Sequence, residues 1–178
     1  MKTKIVSFSV VRRKALLTAM MVSVAVILPQ VCHLLGDQLG YGSRLGEMLL
    51  PMHLPVMLAG MLWGRWAGFT CGLVSPIVSF ALTGMPGAAL LPFMTVELAV
   101  YGLSAGLLRR TNLPSLAQVV LTQVAGRVAR AAVLAVAIYG FGFARLPISI
   151  VWTSIAAGIV GIAIQWAVLP FVGREGKQ

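Results

Sequence analysis

The chain has 178 residues, 59% of them hydrophobic and 10% charged, with a mean hydropathy of +0.95. A soluble domain of this length needs far more polar surface, and because a bilayer span takes about 20 apolar residues, six spans would leave only short loops and tails, which excludes a soluble enzyme or a sizeable extramembrane domain. The 14 Lys+Arg against 4 Asp+Glu give a formal net charge of +10, but the bases are scattered between apolar runs rather than gathered on one solvated face, which argues against a nucleic-acid surface.

Lys2, Lys4, Arg12, Arg13 and Lys14 precede the first apolar run, the charge order of a signal peptide. The run continues through Val31 to Leu35 with no small-x-small cleavage site and no lipobox before Cys32, which predicts a retained first span over Ala15–Leu35. A glycine-punctuated loop is expected over Gly36–Met48. The apolar stretch Leu49–Leu82 is too long for one helix and is interrupted at Gly64, Arg65 and Trp66, so it divides into a short second span, Leu49–Trp63, and a third, Ala67–Leu82. The fourth span, Ala89–Leu108, ends at Arg109, Arg110, Thr111, Asn112 and Pro114, where basic residues and turn formers stop a helix. Ser115–Tyr139 and Ile148–Val172 are the fifth and sixth. The expectation is an all-α membrane protein, a compact six-transmembrane-helix bundle over residues 15–172, with a basic tail at 1–14 and a short tail at 173–178.

Counting bases in alternate connections sets the orientation. The N-terminal tail, Arg65, Arg109 with Arg110, and Arg174 with Lys177 fall on one side, and Arg44 and Arg145 on the other. The positive-inside rule then makes both termini cytoplasmic, as an even number of spans requires. The outer connections carry Gly36, Gly40, Gly42 and Gly46, then Gly84 and Gly87, then Gly140 and Gly142. Such loops are either tight turns or backbone free enough to fold over an outer opening.

Gly60, Gly64, Gly68 and Gly72 recur every four residues, and Gly102 with Gly106 repeats the spacing. Small residues at this interval let helix backbones approach closely where apolar burial cannot drive association. Ala15, Ala19 and Ser23 place another small-residue stripe on the first span, suited to internal packing or to a partner helix. Pro29, Pro51, Pro55, Pro76 and Pro92 lie within or near spans, where freed carbonyls are satisfied by neighbouring helices or line a cavity.

Charged side chains inside a bilayer are costly, so those present are candidates for function. Gln123, Arg127 and Arg130 are spaced i, i+4, i+7 and share one face of the fifth span. Glu97, Tyr101 and Ser104 share a face of the fourth, and His53 lies near the outer end of the second. Together they can line one polar pocket. Alternatively, Glu97 pairs with one arginine to hold the bundle together; the arginine left over then needs water or an anion, and its fork suits a carboxylate. His53 serves either as a packing histidine or as a ligand contact. Trp152 is an interface anchor or a stacking platform, and Gln165, toward the inner half, bonds between helices.

Catalysis finds no support. There is no G-x-S-x-G elbow, H-E-x-x-H pair or Walker A sequence, and Asp37, Glu47, Glu97 and Glu175 are widely separated. Cys32 and Cys71 have no second thiol or histidine at ligand spacing, so neither a disulfide, a metal nor another cofactor is expected.

The series Leu50-Pro51-Met52-His53-Leu54-Pro55-Val56, Gly60, Gly64, Gly68, Ser75-Pro76, Thr83-Gly84-Met85-Pro86 and Glu97-Leu98-Ala99-Val100-Tyr101-Gly102 resembles the substrate-binding S components of energy-coupling factor (ECF) vitamin transporters. The likeness is close over Leu49–Arg110 and extends over the whole chain in size and span count. It implies a multi-pass protein of the bacterial cytoplasmic (inner) membrane. Such a subunit is not an enzyme: it takes up a vitamin or related micronutrient from the outside and works with a membrane T component and two ATPase subunits, toppling in the membrane to release its cargo. The resemblance also implies that the Ala-x-x-x-Ala pattern, met here by Ala15 and Ala19 and continued by Ser23, contacts the T component. The arginines favour an acidic vitamin such as pantothenate or folate. A rival of another class is a non-transporting scaffold similar to the rod-shape morphogenesis membrane protein, which has a related size and span count and needs no small ligand.

Overall fold

The computed structural model describes residues 8–42, 44–143 and 145–175, with side chains described over 10–42, 44–143 and 145–172. The sequence readings that fall on 1–7 and 176–178 lie outside the described residues. Among the described residues the elements are all helical: α1 (Phe8–Gln38), α2 (Arg44–Leu49), α3 (His53–Trp63), α4 (Arg65–Thr83), α5 (Leu91–Leu108), α6 (Ser115–Ala135) continued by a π turn over Val136–Gly140, α7 (Ile150–Ala157) and α8 (Ile159–Glu175). Five segments are long and apolar enough to cross a membrane, with α2 and α3 counted together, and the bent pair α7–α8 makes a sixth if it is one span.

Each boundary has a local cause. Gly40 and Gly42 adopt φ of 77° and 56°, and the N–H groups of Tyr41 and Gly42 both donate to the Gly36 carbonyl, closing α1. Gly64, at φ 99°, breaks α3 from α4 where the sequence predicts the division, and the Arg109 guanidinium donates to the Leu62 carbonyl at 2.8 Å, satisfying an acceptor that the break frees. Gly84, at φ 72°, caps α4 through its N–H on the Phe80 carbonyl.

Two expectations are corrected. The Gly36–Met48 loop is mostly helical, because α1 runs on to Gln38 and α2 begins at Arg44. The sixth span is not continuous: α7 and α8 meet at a 58° bend about Gly158. A Cβ on Gly158 would press on the Leu50 side chain, and one on Gly161 on the Leu49 carbonyl, so α8 is seated against the α2–α3 joint. Leu50 at that joint holds φ 47°, a left-handed conformation uncommon for a residue with a side chain.

The glycine repeats lie where the helices cross. A Cβ on Gly68 of α4 would overlap the Gly102 backbone of α5, one on Gly102 would overlap Gly68, and one on Gly60 of α3 would also meet the Gly102 carbonyl. Gly72 abuts Leu98 and Gly106 abuts Arg65 in the same way. Backbone contact over several turns fixes α5 against α3 and α4. Val56, Met57, Leu98, Tyr101, Val119 and Leu169 fill the interior, while Trp66, Val128, Trp152, Ile159 and Phe171 stand exposed on the outside, the arrangement expected where lipid is the solvent.

Candidate functional site

Fixing α5 fixes Glu97, which precedes Leu98 at the Gly72 contact and is fully buried. Gly126 brings α6 to it: a Cβ there would stand 3.1 Å from the Glu97 carbonyl oxygen and from the Tyr101 ring, so its absence allows close approach. One residue and one turn further on, Arg127 and Arg130 reach the carboxylate. Arg127 Nη1 is 3.1 Å from Glu97 Oε1, and Arg130 Nη1 is 3.1 Å from Oε2. One carboxylate is thus shared by two guanidiniums, one on each oxygen, whereas the sequence reading pairs it with a single arginine. His53 adds its Nε2 at 3.8 Å from Oε1 and packs edge-on against Tyr101, with centroids 5.2 Å apart and planes at 72°.

The cluster forms the floor of a cavity of about 390 Å³, within the usual size range of small-molecule sites. His53, Arg127 and Arg130 line it directly; Glu97 and Tyr101 stand behind them. The wall is largely apolar, from Met52, Leu90, Met94 and Ile150, and the Met85–Gly87 turn lies along it. The polar complement includes Ser79, Thr153 and Ser154, with His33 and Glu47 also on the lining. Ser154 Oγ lies 3.3 Å from Arg127 Nη1 and itself donates to the Val151 carbonyl.

Gln123 is placed elsewhere. Its Nε2 donates to Gln165 Oε1 at 2.8 Å and its Oε1 accepts from Trp166 Nε1 at 2.7 Å, joining α6 to α8 away from the cavity lining. It shares a face with Arg130 but lies seven residues earlier, about 10 Å along the axis at 1.5 Å per residue. Ser104 turns its hydroxyl to the Val100 carbonyl. Sequence reasoning missed Ser154, Ser79, His33, Glu47 and Gly126. The adjacent hydroxyls at Thr153 and Ser154 in an apolar span were the available signal for one of them; the others depend on which helices become neighbours.

The buried polar atoms of the cluster that lack a hydrogen-bond partner among the described residues are Arg127 Nη2, Arg130 Nε, both ring nitrogens of His53, and Glu97 Oε1, which Arg127 meets as an ion pair. Such atoms are costly to leave unmet, and all of these but Glu97 Oε1 belong to residues that line the cavity. No group of three or more potential metal-ligating side chains occurs among the described residues.

At the opposite end of the bundle lies a more open groove of about 820 Å³, lined by Lys14, Ala15, Thr18 and Ala19 of α1, by Arg65 and Trp66 of α4, and by Arg110. Ala15, Ala19 and Ser23 are exposed, so the small-residue stripe is not consumed by internal packing. Ser23 lies beyond the groove lining, its hydroxyl on the Ala19 carbonyl.

Fold and cavity together define a multi-pass helical membrane protein with a charged cluster beneath a small-molecule-sized cavity. Residues 13–173 match the family described as ECF transporter, substrate-specific component, and the chain belongs to that family. No curated protein and no solved structure matches it significantly. The members of this family are transport subunits rather than enzymes; they bind a small-molecule substrate and work with T and ATPase components. Of the two classes weighed from the sequence, the match supports the transporter subunit over the rod-shape scaffold.

Proposed function

We propose that this chain captures a vitamin or related micronutrient from the outer side of the bacterial cytoplasmic membrane, for import driven by a T component and two ATPase subunits. The observation carrying the reading is the cavity floored by His53, Arg127 and Arg130, whose unpartnered buried donors call for a polar ligand. It lies at the end of the bundle formed by the α1–α2, α4–α5 and α6–α7 connections, which the positive-inside count assigns to the outside. Arginine forks favour an acidic group, so pantothenate and folate are the starting candidates. Glu97 and Tyr101 support the floor, and Ala15, Ala19 and Ser23 face the T component.

A native mass spectrum of the gently solubilised protein tests the reading. A retained small molecule, or one taken up from a vitamin panel, supports it. A chain that stays bare after exposure to the panel overturns it.

A further inference from the structure

We propose that the cavity selects its ligand by charge, accepting a monoanion: a compact molecule with one carboxylate and an otherwise uncharged body. The proposal rests on the solute-binding reading above and narrows it, since an acid with two carboxylates falls outside it.

The first ground is the charge of the floor. Arg127 and Arg130 each stand 3.1 Å from one oxygen of the fully buried Glu97, so the two guanidiniums bring two positive charges against one negative charge, one more than the carboxylate balances. A buried excess charge is costly unless an opposite charge meets it. A ligand bearing one negative charge closes that balance, a neutral ligand leaves it open, and a dianion exceeds it.

The second is the set of free donors. Arg127 Nη2 and Arg130 Nε are buried without partners among the described residues, on side chains already anchored through their Nη1 atoms. A carboxylate offers two oxygens with about four lone-pair sites, enough to accept from both guanidiniums and from a ring N–H of His53.

The third is the rest of the wall. Beyond the floor it is built largely from Met52, Leu90, Met94 and Ile150, with no further Lys or Arg among the described residues of the lining to hold a second anionic group. Glu47 lies on the lining and is exposed, so a second carboxylate extending from the floor would meet a like charge. Glu97 is accordingly a positioning residue that also sets the charge of the floor.

The test measures affinities of the full chain in lipid nanodiscs for matched probes: pantothenate, biotin and nicotinate, their neutral counterparts pantothenol, biotinamide and nicotinamide, the dianionic quinolinate, and 4′-phosphopantothenate, whose carboxylate and phosphate together carry about −2.5 to −3. Native mass spectrometry records any cargo carried from the cell. The expected result is that the best ligand, from the panel or as cargo, is a monocarboxylate, with its neutral and dianionic counterparts each weaker by about 10-fold or more. Glu97→Gln raises the floor by one positive charge and should shift the preference toward the dianion by about 10-fold. Arg127→Gln, which keeps the Glu97–Arg130 pair, should cost the monocarboxylate about 10-fold while costing the neutral counterpart less than about threefold, giving a second readout if Glu97→Gln does not fold. A neutral or dianionic best ligand overturns the proposal and leaves the solute-binding reading standing. Equal losses for charged and neutral probes in Arg127→Gln also overturn it. A chain that carries nothing and binds nothing overturns both.

Discussion

Gly68 of α4 and Gly102 of α5 face each other so closely that a Cβ on either would run into the backbone of the other. Backbone cannot yield as a side-chain tip does, so the contact admits no larger residue without moving a helix. Gly102→Ala should therefore destabilise the fold by about 1–3 kcal/mol, the usual cost of overpacking, read as an earlier thermal transition in detergent. Gly87→Ala serves as the control, because no atom stands near its added Cβ. Equal behaviour of the two variants would contradict the crossing.

Gly126 predicts a different outcome. Its added Cβ would meet the Tyr101 ring and the Glu97 carbonyl oxygen at 3.1 Å, a distance that a shift of a few tenths of an ångström relieves. Gly126→Ala should fold, yet move Arg127 and Arg130 relative to Glu97 and weaken ligand binding by about 10-fold, since a small displacement degrades charged hydrogen bonds. Titration calorimetry beside a melting curve separates the two effects.

Arg130→Ala removes one of the two cations from a fully buried carboxylate. Breaking a buried ion pair from one side costs about 3–5 kcal/mol, so this variant should lose stability as well as affinity. Ser154→Ala removes only a lateral contact to Arg127 and should lower affinity by about threefold to 10-fold with stability changed by less than about 1 kcal/mol. Ligand affinity and thermal midpoint, measured for both, give the contrast.

Gln123→Leu should do the reverse. It strips a partner from Gln165 and from Trp166, leaving buried polar atoms unmet at a cost of about 1–3 kcal/mol, while the cavity lining is untouched. Stability should fall and affinity should hold, and Trp166 fluorescence should change as its indole N–H loses its acceptor. A matching fall in affinity would bring Gln123 back into the site.

Substituting Ala15 and Ala19 together by Leu fills the exposed small-residue face of α1. The double variant should retain its ligand and lose co-purification with the T component. Unchanged assembly would remove this face from the interface.

The spans were legible because apolar runs of membrane length carry their own signal, and the division at Gly64 because Gly-Arg-Trp interrupts such a run; the structure places a φ of 99° there. Glycine spacing likewise gave the close helix crossing. The bend at Gly158 was not legible, since glycine is common within spans and the residues packed against Gly158 and Gly161, Leu50 and Leu49, are distant in sequence. In the site, helical spacing gave the face shared by Gln123, Arg127 and Arg130 but not the depth at which each meets its neighbour. That both arginines fall on one carboxylate depends on the register of α6 against α5, which Gly126 sets and no periodicity displays.

The division of the buried charges between adjacent helices also bears on how the chain enters the bilayer. Glu97 lies on α5 and its two cations on α6, joined by the short connection at 109–114. An acidic or basic residue at mid-helix costs about 2.5–3.5 kcal/mol on insertion scales, so α5 alone would enter with an unpaired carboxylate and α6 alone with unpaired guanidiniums. Inserted as one hairpin, the two helices carry their counter-charges with them. Biogenesis of this protein therefore favours α5 and α6 leaving the translocon together.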